Sequence, residues 1–257
     1  MATQAKAGQA PQGAPVPLRP DYGLDSPLLV RRTLSRGGWA LAWGVAIYVM
    51  NRAEYPGPAG RMLAALAVLA AAFISAGAIM VWSSRVWKLA LRDRLLDSLE
   101  LRGEEKVLDV GCGRGLVAIG AAKRLKTGRV TGVDVWNPAA LSGNSADAAR
   151  DNAKLEGVLD KIRFESWDPR RLACPDASFD VVVSALTLHQ FPDPLDRAQA
   201  VREMFRVLRP GGRLLIYDLW KTGEYGEALR ACGARDVALS PLSFLWCAPS
   251  RSVSARK

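Results

Sequence analysis

Hydrophobic and polar positions follow two different regimes along this chain. Over residues 39–50, and again over 62–82, apolar residues run almost without interruption, with Ser75 the one polar break in the second run. Beyond residue 102 the apolar runs shorten to strand length, at 107–110, 130–135, 162–166, 178–185 and 214–218. Between them lie segments with the spacing of half-buried helices, near 145–156, 197–208 and 225–232, and two short closing strands are predicted around Val237 and over 244–247. Short strands alternating with helices predict βα units and a mostly parallel sheet.

The first strand runs straight into glycines, as Val107-Leu108-Asp109-Val110-Gly111-Cys112-Gly113-Arg114-Gly115, and a helical pattern follows from Leu116. Glycines there let the backbone turn tightly and approach a ligand more closely than a side chain allows. A glycine-rich βα turn by itself also fits dinucleotide oxidoreductases and P-loops. However, position 116 is Leu where the dinucleotide fingerprint has its third Gly, and no Gly-Lys-Ser/Thr is present. An acid inside the turn suits a cationic or zwitterionic ligand better than a pyrophosphate.

This turn resembles motif I of the class I S-adenosylmethionine (SAM)-dependent methyltransferases, in particular their small single-domain, type 11-like members. The resemblance extends over roughly 84–250. A second strand ends in Asp134, a third leads into Trp167-Asp168, a fourth contains Asp180 and ends near Ser184, and Pro210-Gly211-Gly212 precedes a fifth. The resemblance implies a Rossmann-like sheet, mostly parallel with an antiparallel last strand, and SAM as cofactor. Asp109, Gly111, Gly113 and Gly115 would hold its methionine part and Asp134 its ribose. Trp136 and Asp168 would hold the adenine, and Cys112, Val135, Trp167 and Ser184 are further cofactor-binding candidates. Asp180 and the Pro-Gly-Gly turn read as scaffold.

Methyl transfer from a sulfonium is an in-line displacement, so positioning is the main task, and a base is needed only when the acceptor must lose a proton. His189, the single histidine, follows the fourth strand, where this family shapes its acceptor pocket, and is the candidate base. The segment Ser184-Ala185-Leu186-Thr187 lacks the Asn-Pro-Pro-Tyr-like turn and the Pro-Cys nucleophile of amine and cytosine-C5 methylating relatives. The long loop 136–145 is a candidate lid.

A membrane-spanning helix needs about 20 apolar residues, which 62–82 supplies and 37–50 approaches. The expectation is therefore a disordered tail over 1–33, two transmembrane helices within 34–82, a linker helix over 83–101, a methyltransferase domain over 102–250 and a C-terminal tail over 251–257. Arginines flank both runs on the outer sides, which puts the catalytic domain in the cytoplasm of a multi-pass membrane protein.

The net charge of +10 invites a nucleic-acid reading, but residues 1–94 hold 11 Lys/Arg against 4 Asp/Glu, leaving only +3 for the remainder. The basicity belongs to the membrane flanks, and no nucleic-acid partner is expected. Cys112, Cys174, Cys232 and Cys247 show no metal-ligand spacing and read as free thiols. The expected partners are SAM, membrane lipids and a small hydrophobic or lipid-like acceptor. A protein or RNA acceptor, a non-catalytic SAM-binding role and a Rossmann oxidoreductase remain as alternatives.

Overall fold

The computed structural model describes residues 19–244 and 248–257. Seven strands form one sheet in the order β3-β2-β1-β4-β5-β7-β6. They are β1 Lys106–Val110, β2 Arg129–Val133, β3 Ile162–Glu165, β4 Phe179–Ala185, β5 Leu208–Asp218, β6 Arg235–Leu239 and β7 Arg251–Arg256. The first five are parallel, and β7 runs antiparallel between β5 and β6. The central strands β1 and β4 are buried on both faces, so their Val and Leu side chains feed two cores. One core packs under α4 Leu116–Arg124 and α5 Ala146–Leu155, the other under α6 Pro194–Val207 and α7 Thr222–Ala231.

Two expectations about the chain's end need correction. The segment 251–257 is no tail: Val253 and Ala255 are buried, and the strand is hydrogen-bonded along both edges. The predicted closing strand at 244–247 is not seen at Phe244, and Leu245, Trp246 and Cys247 lie outside the described residues. Asp180 is scaffold as read, accepting from the Lys106 backbone N–H and from Arg209.

The N-terminal region also departs from expectation. Residues 1–18 lie outside the described set, but 19–26 form an extended strap bonded to the domain, and helix α1 begins at Pro27, inside the supposed tail. α1 Pro27–Asn51 and α2 Pro56–Trp82 pack as an antiparallel hairpin, with small residues at the contacts. A Cβ on Gly37 would press on Ile74, and one on Gly77 would overlap Leu34, so these glycines set the interhelical approach.

α2 continues through a π turn, Ser83–Trp87, into α3 Lys88–Ser98, which lies against α4. Among the described residues one helix, Pro56–Ser98 taken through that turn, is long and apolar enough to cross a membrane by length and composition. Two such helices were expected. α1 fails because its uncharged stretch carries Gly37, Gly38, Gly44, Trp39, Trp43 and Tyr48 and is bounded by Arg36 and Asn51. Only 11% of the most apolar window of the long helix is buried, so it is not a core helix within this chain.

Candidate active site

A cavity of about 260 Å³ opens at the carboxyl ends of β1, β2 and β4, where an open α/β sheet leaves room between crossovers. Asp109, Gly111, Cys112, Gly113, Asp134 and Val135 line it from one side, and Leu186, Thr187, His189 and Phe191 from the other. α3 contributes Lys88, Leu91, Arg92 and Leu95, and the strap contributes Tyr22, Asp25 and Ser26.

The glycine turn is built as its sequence requires. Gly111, Gly113 and Gly115 have φ of 77°, 52° and 85°, in the region that favours glycine. The N–H groups of Gly111 and Cys112 both donate to the Val133 carbonyl, at 2.8 and 3.0 Å, fastening the turn to β2. A Cβ on Gly111 would overlap the Thr187 side chain, and one on Gly113 would lie 2.9 Å from Leu141 Cδ2. Gly115 caps α4 and stands outside the cavity wall.

Asp109 is 1% exposed, and neither carboxylate oxygen has a hydrogen-bond partner among the described residues. Burial, joined by the charge of Asp134, pushes its carboxyl up to about 7, and the nearby Ala118 amide offsets this only in part. A buried carboxyl lacking a donor, on the wall of a cavity ringed by bare backbone, fits the ammonium of a bound amino acid moiety. The residues present therefore suit the methionine end of SAM.

Asp134 is more engaged than an acid reserved for a ligand. Its Oδ2 accepts from the Gly113 N–H at 2.8 Å, and its Oδ1 accepts from the Trp136 N–H at 2.6 Å and Asn144 Nδ2 at 3.3 Å. A carboxylate offers about four acceptor positions, so roughly one remains for a ribose hydroxyl. The same contacts hold Trp136 at φ 58° and tie the loop 136–145 to the glycine turn.

The other candidates are not brought into the cavity wall. Trp136 donates through Nε1 to Ser166 Oγ at 2.7 Å. Trp167 packs on the core beneath α6, and Asp168 is held by Arg170 at 2.6 Å, which lowers its carboxyl pKa. Ser184 is buried and donates to the Val110 carbonyl, joining β4 to β1.

His189 does face the cavity, and its surroundings carry what sequence reasoning missed. Its Nδ1 lies 2.5 Å from Oδ1 of Asp218, the last residue of β5, which is fully buried. Asp218 also accepts from the His189 and Leu219 backbone N–H groups and from the Tyr225 hydroxyl, at 2.9, 2.8 and 3.2 Å. With every partner donating, Nδ1 carries the ring proton, and Nε2, without a partner among the described residues, is left as an acceptor. Arg197, itself buried, donates to the carbonyls of Phe191 and Pro192 and so fixes the turn that presents His189. Asp218 was legible as an acid ending an apolar strand, the same signal that singled out Asp134.

The strap closes the cavity over α3 and α5. Asn152 bonds Asp21 through both N–H and carbonyl, and the Leu24 N–H donates to Ser142 Oγ. Lys88, buried, donates to the carbonyls of Tyr22 and Gly23.

Residues 107–212 match the family model described as a methyltransferase domain. The chain is 41% identical over 131 residues to 27-O-demethylrifamycin SV methyltransferase of Amycolatopsis mediterranei, covering 50% of this chain and 43% of that one. It is 40% identical over 127 residues to demethylmenaquinone methyltransferase of Deinococcus radiodurans, covering 49% and 48%. The chain thus spans about half the length of these curated relatives. A SAM-dependent methyltransferase from Aquifex aeolicus shares the fold at a TM-score of 0.51 and 20% identity, over 64% of this chain and 88% of that one. The [4+2]-cyclase SpnF shares it at 0.55 and 22%, over 66% and 81%. Residues 107–212 thus match a methyltransferase domain, carried on a sheet whose fold the SAM-dependent methyltransferase of known structure shares.

Proposed function

We propose that this protein is a membrane-anchored SAM-dependent methyltransferase whose acceptor is a small hydrophobic or lipid-like molecule bearing an ionisable proton. The observation that carries the reading is one cavity with the unpaired carboxyl of Asp109 at one wall and the imidazole of His189 at the other. Bound SAM would supply an electrophilic methyl group on its sulfonium. Asp109 and the glycine turn hold the amino acid end, and Asp134 reaches the ribose through its remaining acceptor position. His189 takes the acceptor proton at Nε2, and Asp218 orients the ring and stabilises the imidazolium that forms. Strap and α3 exclude water from the reacting atoms.

Relatives named for a rifamycin, a menaquinone and a sterol support a small, largely apolar acceptor. Anchoring is supported by the exposed apolar surface of α1 and α2, including Trp39, Trp43, Met50 and Val68. The run 62–82 offers about 31 Å of helix against a hydrocarbon core of about 30 Å. Both ends of the hairpin are bonded to the domain side, Ser26 N–H to the Ala140 carbonyl and Asp25 N–H to Ser84 Oγ, so α1 accompanies α2 to whatever depth it reaches.

Incubating separated membranes and soluble fraction with methyl-labelled SAM and the full chain tests the proposal. Label is expected in an organic-extractable product from membranes; label confined to soluble protein or RNA defeats the acceptor assignment. Full-length protein released by alkaline carbonate defeats the anchor.

A further inference from the structure

Among the described residues, the half of the domain built on β4 to β7 exposes the large apolar side chains Leu195, Trp220, Leu242 and Phe244. Trp220 follows Asp218 by two residues, and Leu195 opens α6 just beyond Phe191. Leu242 and Phe244 flank Ser243, which pairs with Ser250 through reciprocal backbone hydrogen bonds at 2.7 and 2.9 Å, closing the loop between β6 and β7. All four side chains are more than half exposed.

Topology puts them on one rim. β5 runs parallel to β4 and ends at Asp218, and Asp218 pairs with Arg251 at the start of antiparallel β7. The β6–β7 loop, the residues after β5 and the start of α6 therefore all lie at the carboxyl end of the sheet. The hairpin leaves the domain from that same end, since Ser26 is bonded to Ala140 in the loop that follows β2. Three strand spacings of about 4.8 Å, about 14 Å in all, separate β2 from β5, and the cavity opens at the ends of the strands between them.

We infer that the rim of Leu195, Trp220, Leu242 and Phe244 is a second membrane contact, seated in the interfacial layer of the leaflet that α2 enters, so that the cavity mouth opens onto lipid. The inference rests on the anchoring proposed above and adds a surface to it. Charge at the hairpin base matches a lipid partner: Arg31, Arg32 and Arg85 are exposed and form no ion pair among the described residues. These unpaired cations complement anionic headgroups, and tryptophan favours the depth at which they meet the acyl chains. A soluble partner would leave the arginines and the hairpin unanswered, whereas one flat leaflet meets rim, arginines and hairpin together. An acceptor dissolved in that leaflet then reaches His189 without crossing water.

The test uses the full chain in vesicles of phosphatidylcholine and phosphatidylglycerol, doped with a phosphatidylcholine carrying a photoactivatable diazirine near the headgroup end of its acyl chain. Adducts are mapped by mass spectrometry. The expected result is lipid adducts within 62–82 and also within 219–222 or 242–244, with none over 159–161, at the amino end of β3. Adducts in the hairpin but none at 192–196, 219–222 or 242–244 overturn the second contact while leaving the anchor standing. Absence of adducts from 62–82 removes the anchor and this inference with it.

Discussion

The imidazole of His189 and the carboxylate of Asp218 meet at 2.5 Å across 29 residues of sequence, with Asp218 fully buried and Tyr225 on its other oxygen. The pair turns a lone histidine into an oriented one, because the carboxylate decides which nitrogen faces the cavity. Asp218→Asn offers Nδ1 an amide that can donate, and the ring then turns its proton toward the acceptor. Methyl transfer is expected to fall about 100-fold or more in both Asp218→Asn and His189→Ala. Calorimetry should show SAM affinity nearly unchanged in each, and a parallel loss of SAM binding would place the pair in the scaffold.

With Asp109 in its proposed role against the SAM ammonium, SAM binding is expected to depend on pH. Its carboxyl titrates at about 7 in the fold, against an ordinary value of 3.8. The ammonium of SAM pairs with the ionised form, so affinity is expected to weaken as pH falls below about 7, approaching tenfold per unit. Asp109→Asn should bind more weakly at pH 8 and show no such slope. Titrations at pH 5.5 and 8 decide this, and a slope that survives the substitution removes Asp109 from the ligand.

The same carboxyl links stability to pH in the opposite sense. Between about 4 and about 7 the folded chain keeps a proton that the unfolded chain has released, so ligand-free stability declines as pH rises through that window and is level above it. Denaturation of the Asp109→Asn protein should lack this decline. A wild-type midpoint that rises steadily from pH 5 to pH 7 contradicts the assignment.

Gly111 is fixed both by its φ of 77° and by Thr187, which occupies the space of a Cβ. Gly111→Ala is expected to cost about 1–2 kcal/mol for the backbone alone, and more for the overlap. Adding Thr187→Gly should recover the overlap and not the backbone cost. Thermal midpoints of the single and double variants measure the split; full recovery would show that the backbone there is free to adjust.

Lys88 ties the strap to α3, donating to the Tyr22 carbonyl at 2.9 Å and to that of Gly23 at 2.6 Å. Hydrogen bonds from a charged donor contribute about 1.5–3 kcal/mol, so Lys88→Met should loosen residues 20–26 and speed SAM release more than tenfold. Hydrogen exchange over the strap and stopped-flow displacement read the two effects. Unchanged exchange would mean that the strap's other contacts, to Asn152, Ser142, Glu156 and Ala140, hold it without Lys88.

Much of this architecture is legible in the sequence, because strands and glycine turns declare themselves over a few consecutive residues. Val107 to Gly115 is such a case: apolar strand, acid and three glycines each answer to local backbone and packing demands. The long apolar run of α2 is likewise a property of composition. What the sequence did not disclose depends on contacts between distant segments. Arg251–Arg256 is too polar and too poor in β-branched residues to read as a strand, yet pairing with β5 and β6 on either side makes it one. The strap over 19–26 has the Pro- and Gly-bearing look of a tail, and contacts from distant segments, among them Asn152, Ser142, Glu156 and Lys88, give it a fixed course. Asp134 looked reserved for a ligand until folding brought Gly113, Trp136 and Asn144 to it, and Asp168 was claimed by Arg170. Local pattern determines which elements form, since each pays its own backbone entropy through short-range order. Which side chains are left free to do chemistry is decided only when the tertiary structure has assigned a partner to all the others.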